Sequence, residues 1–141
     1  MKSTLFKRFI TFTASVHEVT HELTKDVRNR SLTPVQYGIM EYVFVSQPVN
    51  PSEISDCQHI SLPNTSRELK KLHDMKLIKK VMDNQDGRKH TIILSEEGDR
   101  LMSGIFAEVE LLFNNRMEQA SSEDLEEIEK ALNVLEKKVF Y

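Results

Sequence analysis

The chain has 141 residues, enough for one compact domain or a domain with helical extensions and too few for an α/β barrel. Its 19 Lys and Arg against 22 Asp and Glu give a net charge of −3, which taken whole argues against nucleic acid as a partner, and its 39% hydrophobic residues fall short of the roughly 45–50% usual for a globular monomer, as if a core were shared between subunits. One cysteine, Cys57, excludes an internal disulfide, Lys7 and Arg8 interrupt the first apolar cluster, and the longest charge-free run, Tyr42 to Ser52, is far below the about 20 apolar residues of a membrane span, so a cytoplasmic protein with no membrane partner is expected.

Leu5, Phe9, Phe12, Val16, Val19 and Leu23 step by four and three, the seam of a long amphipathic helix that ends before Ser31. Thr33-Pro34-Val35-Gln36 then reads as a capping threonine, a proline suited to the first helical turn and a glutamine closing a capping box, so a helix runs to about Ser46. Asn50-Pro51-Ser52-Glu53 repeats that grammar for a short helix ending near His59. Ser61 caps a third, running to about Lys76, with Leu62, Ser66, Leu69 and Leu72 as its expected inward face. The period then changes. Leu77–Met82 and His90–Leu94 are short strands joined by residues 83–89, which are rich in turn formers and include Gly87, free to take a positive φ. Leu101, Ile105, Val109 and Leu112, with Met102, Phe106 and Phe113, give a helix from Glu96 to Met117 a broad apolar face. Ser122 then caps a last helix whose seam is Ile128, Leu132, Leu135 and Val139.

Three short helices with tight joins followed by a hairpin make a winged helix-turn-helix. The expected fold class is therefore mainly α with a small β-hairpin wing, an α+β arrangement in one continuous domain. Residues 31–95 form a DNA-binding lobe, and residues 1–30 and 96–141 form a helical dimerisation region through Leu5, Phe9, Phe12, Ile128, Leu132, Leu135 and Val139. The same terminal helices could instead pack on their own domain. A homodimer mass in solution separates the two readings.

On the third short helix, Pro63, Asn64, Thr65, Arg67, Lys70 and Lys71 are expected to face outward near the end that meets base edges in a major groove. Asparagine can pair with adenine, arginine with guanine, and a threonine methyl with the thymine methyl, while Lys70 and Lys71 suit phosphates. On the wing, Arg88 and Lys89 can enter a narrow minor groove, with Asp86 placed to orient the guanidinium. An ordinary solvated helix face and a mixed-charge turn would show the same residue types, and a winged helix can also serve protein contacts alone.

Leu32-Thr33-Pro34-Val35-Gln36, the run Thr65-Ser66-Arg67-Glu68-Leu69-Lys70-Lys71-Leu72, Leu77-Ile78, Asp83, Asp86-Gly87-Arg88 and Leu94-Ser95-Glu96-Glu97-Gly98 together resemble the successive signatures of MarR-type regulators over residues 32–98. The resemblance implies a homodimeric bacterial transcription factor that binds a pseudo-palindromic operator, usually as a repressor, and often releases double-stranded DNA when a small aromatic ligand enters a cleft beside the dimerisation helices. Phe12, Val16, Gly38 and Tyr42 are the candidates for that cleft, although apolar residues there serve a core equally well. Two positions depart from the pattern. Lys76 replaces the frequent glycine before the wing strand and suggests a different helix end. The reactive cysteine that the redox-sensing branch carries in its first helix is absent, and Cys57 reads as a buried inert thiol.

His17 and His21, four apart on one helix, could share a metal ion, but two histidines do not complete a site. A redox- or metal-responsive switch on the same fold is the alternative signal. No cofactor is expected, and no enzyme: Gly38, Gly87, Gly98 and Gly104 are scattered rather than forming a phosphate loop, and no nucleophile carries a local signature. Gly38 and Gly104 are expected to serve close helix packing. The charge also divides unevenly, with six basic and four acidic groups in residues 1–50, eight and six in 51–94, and five and twelve in 95–141. The acid is loaded on the last two helices, leaving the expected DNA-binding lobe mildly basic.

Overall fold

The computed structural model describes residues 2–26, 31–82, 85–87 and 89–141; Arg88, Asp83 and Asn84 of the wing lie outside them. In chain order the described elements are α1 (Lys2–Thr24), α2 (Pro34–Ser46), α3 (Pro51–Gln58), α4 (Leu62–Asp74), β1 (Ile78–Met82), β2 (His90–Leu94), α5 (Glu96–Arg116) and α6 (Ser122–Lys138). The chain forms two compact units, residues 1–109 and 110–141.

Local hydrogen bonds set where the helices begin. Thr33 Oγ1 accepts from the Gln36 N–H at 3.2 Å while Gln36 Oε1 accepts from the Thr33 N–H at 3.1 Å, a closed capping box. Asn50 Oδ1 accepts from the Glu53 N–H at 2.8 Å to start α3, and Ser61 Oγ accepts from the Asn64 N–H at 3.2 Å to start α4. Each cap is followed by a proline in the first turn, where its missing N–H costs nothing. At α6 the cap is Ser121, one residue earlier than the sequence suggests, because Asp124 lies three residues on and closes the box from its side chain at 2.9 Å.

The core of the first unit gathers Ile39, Met40 and Val43 of α2, Ile54 of α3, Leu69 and Leu72 of α4, Ile78, Ile92 and Leu94 of the hairpin, and Met102 and Ile105 of α5. Phe44 of α2 stacks on Phe106 of α5 with ring centroids 5.0 Å apart. β1 and β2 pair antiparallel with Ile78 opposite Leu94 and Met82 opposite His90. On the other edge of β2, Val49 exchanges hydrogen bonds with Ile92, and Gln47 Oε1 accepts from the Leu94 N–H at 2.8 Å, so the segment after α2 anchors the hairpin. The Gln47–Pro48 peptide is cis.

Three expectations about this lobe are corrected. The buried face of α4 is Thr65, Leu69 and Leu72, whereas Leu62 is 50% exposed and Ser66 is exposed. Thr65 tolerates burial because its hydroxyl donates to the Ser61 carbonyl at 2.9 Å, satisfying its polar atom inside the helix. Lys76 does end α4 in the left-handed conformation, at φ 64°, with its N–H donating to His73 O and the Leu77 N–H reaching back to Leu72 O. That pair of bonds is a Schellman ending made by a lysine where glycine is the easier residue. Left-handed backbone falls on His59 and Lys76 among the described residues, and Gly87 does not use it.

A Cβ on Gly98 would collide with the Leu77 carbonyl, so the start of α5 lies directly on the joint between α4 and β1 only because this position has no side chain. The expectation of close packing at Gly104 does not hold within the chain, where a Cβ would meet nothing within 4 Å.

The apolar seams at the chain's two ends are largely uncovered. On α1, Leu5, Phe12 and Val16 are 69%, 42% and 46% exposed, with Phe9 partly buried. On α6, Ile128 and Leu132 are exposed and Leu135 is partly buried, and Val139, which caps the helix end, is exposed.

Candidate nucleic-acid interface

At 100° per residue, burial of Thr65, Leu69 and Leu72 turns Pro63 and Arg67 directly outward, with Asn64 and Lys71 along one flank and Lys70 and Ser66 along the other. All six are exposed. The outward groups near the start of α4 are tied to one another: Arg67 Nη1 donates to Asn64 Oδ1 at 2.7 Å. Lys71 Nζ donates to Glu68 Oε1 at 3.3 Å, and the other oxygen of Glu68 accepts from Gln36 Nε2 at 3.3 Å. The glutamine that closes the α2 capping box therefore also holds the flank of α4, and Lys71 begins from a tethered position while Lys70 has open solvent around it.

The hairpin extends beside this helix. Lys79 and Lys80 of β1 are exposed, as is Lys89 just before β2, and the tip is tightened by the Lys89 N–H donating to Asp86 O at 3.0 Å. Between the start of α3 and the hairpin runs a groove of about 570 Å³, lined by Asn50, Pro51, Ser52, Val81, Met82, Lys89, His90 and Thr91.

A second cavity, of about 440 Å³, opens between α1 and α2 and reaches the end of α3. The stripe His17, Thr20, His21 and Thr24 forms one wall, Tyr37, Gly38, Glu41 and Tyr42 the other, and Cys57 and Gln58 close one end. Gln58 Nε2 donates to the Gly38 carbonyl at 3.1 Å, a contact that a Cβ on Gly38 would crowd out. Burial pushes the Tyr42 phenol above its ordinary pKa, with Glu53, Cys57 and Asp56 adding to the effect.

Residues 19–105 match the family model described as the transcriptional regulator SarA/Rot. The chain belongs to the SarA/Rot family. Among individual relatives, it is 26% identical over 130 residues to the HTH-type transcriptional regulator TcaR of Staphylococcus aureus, covering 91% of this chain and 86% of that protein. Its fold is similar to that of a MarR family protein from Bacillus stearothermophilus, with a TM-score of 0.81 and 16% identity, over 100% of this chain and 99% of the other. It is also similar to S. aureus MepR solved bound to ethidium bromide, with a TM-score of 0.64 and 21% identity, over 92% and 94% of the two chains. The protein is thus a DNA-binding transcriptional regulator on a MarR-type winged helix, and its family is one of regulators rather than enzymes.

In this SarA/Rot chain the residues singled out from sequence fall into separate places. Pro63, Asn64, Arg67, Lys70 and Lys71 share the exposed side of α4, and Asp86 and Lys89 lie on the wing. Thr65 does not join them: fully buried, it cannot present its methyl to a base. Ser66, assigned inward from the leucine spacing, takes an outward position instead. Gly38 and Tyr42 line the cavity beside α1, whereas Phe12 and Val16 do not. Cys57 is exposed at the cavity's end and is not the buried thiol the sequence suggests. His17 and His21 also face the cavity, yet among the described residues no three His, Cys, Asp or Glu side chains gather as a metal set. Hydrophobic periodicity did not point to the cavity wall, since His17, Thr20, His21 and Thr24 are polar residues at i, i+3, i+4 and i+7. The spacing itself was the available signal. No helix among the described residues is long and apolar enough to cross a membrane.

Proposed function

We propose that the protein is a cytoplasmic homodimeric repressor that sets two α4 helices into successive major grooves of a pseudo-palindromic operator, with each wing against the flanking minor groove. The observation that carries this reading is the exposed face of α4, where Asn64, Arg67 and Lys70 surround a capped helix start next to a lysine-bearing hairpin. Asn64 and Arg67 meet base edges, Lys70 and Lys71 meet phosphates, and Arg88 with Lys89 follow the minor groove. The uncovered apolar residues of α1 and α6, among them Leu5, Phe12, Ile128 and Leu132, support dimerisation through the terminal helices, with residues 1–30 and 96–141 serving that role and residues 31–95 serving DNA binding.

The cavity between α1 and α2 is the proposed ligand site. Tyr37 and Tyr42 offer aromatic faces and Glu41 and the two histidines offer polar contacts, a set suited to a small aromatic molecule, as MepR's complex with ethidium also suggests. A ligand favouring another lobe spacing lowers operator affinity because both helices no longer seat together. Footprinting of bound genomic fragments tests the reading. Two protected half-sites about 34 Å apart are expected. A single protected half-site bound by one chain overturns the dimeric reading.

A further inference from the structure

We propose that Asn64 and Arg67 act as one reading unit that selects a guanine, with Asn64 positioning the guanidinium rather than reading adenine itself. The proposal rests on the reading of α4 given above and deepens it. Guanidinium groups only donate hydrogen bonds, so the Asn64 atom 2.7 Å from Arg67 Nη1 is its carbonyl oxygen, and the orientation of the amide follows from chemistry. A separation of three residues brings the two side chains together on the helix surface, and the Ser61 hydroxyl fixes the backbone N–H of Asn64 beneath them.

Reading adenine requires an asparagine to accept from the base's amino group while donating to N7. Oδ1 keeps a second lone pair, but an adenine placed on it would take its N7 bond from the Asn64 amide and leave the other Arg67 N–H groups without an acceptor on that base edge. What the pair presents outward is therefore donors: the Asn64 amide N–H groups and the unused N–H groups of Arg67. Guanine offers the matching pair of acceptors, O6 and N7, on its major-groove edge. Because Asn64 holds the guanidinium before DNA arrives, less side-chain freedom is lost on binding, and the guanidinium is directed along the helix start rather than toward a phosphate. Lys71, on the same flank, is held by Glu68 and does not compete for the Asn64 carbonyl.

The test selects bound sequences from a random duplex library with the full-length protein. Single-base variants of the winner are then compared by competition, for the unaltered chain and for Asn64→Ala, Asn64→Asp, Arg67→Ala and the double Asn64→Ala/Arg67→Ala. The unaltered protein is expected to prefer guanine at one position per half-site by about tenfold or more. Asn64→Ala and Arg67→Ala should relax that same position, the double variant should lose no more than Arg67→Ala alone, and Asn64→Asp, which keeps an acceptor for the guanidinium, should retain the preference. Relaxation of an A·T position by Asn64→Ala with the guanine preference intact overturns the pairing, as does an additive loss in the double variant. A uniform loss across all sequences moves both residues to phosphates and overturns it as well. Failure of the unaltered protein to enrich any sequence is a different outcome, which removes the DNA-reading role of α4 and the pair with it.

Discussion

Lys76 carries a backbone conformation at φ 64° that an L side chain adopts at a cost of about 1–2 kcal/mol, while its carbonyl accepts from Ser95 Oγ at 2.6 Å. The helix end is kept because the Schellman bonds and the burial of both Leu72 and Leu77 in the core outweigh that cost. Lys76→Gly should therefore raise stability by about 1 kcal/mol, read as a higher urea midpoint with an unchanged m-value. An unchanged or lower midpoint would mean that the lysine side chain contributes something the left-handed turn conceals. Thr65 presents the opposite case, a polar residue fully inside. Its type suggested a base contact, and only the back-bonded hydroxyl, which depends on the helix already being formed, makes its burial tolerable.

Helix starts were legible in the sequence because caps are local: Thr33, Asn50 and Ser61 each accept from the N–H group three residues ahead. The facing of α4 was not, since Leu62 in the first turn lies beyond the reach of the core and leucine spacing alone gave it the same weight as Leu69 and Leu72. The pairing of Val49 with β2 was likewise hidden, a single bridge carrying no alternation to read. Contact between elements is also where a sharp prediction arises. Gly98 lies in the first turn of α5, and its necessity comes from the Leu77 carbonyl across from it. Gly98→Ala should lower unfolding stability by about 1–3 kcal/mol by pushing α5 off Leu77 at the joint ahead of β1. An unchanged denaturation midpoint would show that the strand end yields freely.

For the whole molecule, the net charge of −3 describes no surface that a partner meets. Residues 1–94 carry a small excess of base and residues 95–141 a large excess of acid, so the part bearing α4 and the hairpin can approach a polyanion that the total charge would discourage. The lean hydrophobic composition has a matching counterpart in the uncovered apolar seams of α1 and α6, which were legible as seams from their spacing but not as exposed or covered. Both features follow if the functional object is a pair of chains on DNA. Equilibrium binding of the unaltered protein to its selected duplex, measured by anisotropy across salt concentrations, tests that claim most directly. With about six phosphates neutralised by the paired lobes, affinity should fall log-linearly by about a thousandfold between 50 and 200 mM salt. Affinity that stays flat across that range would contradict it.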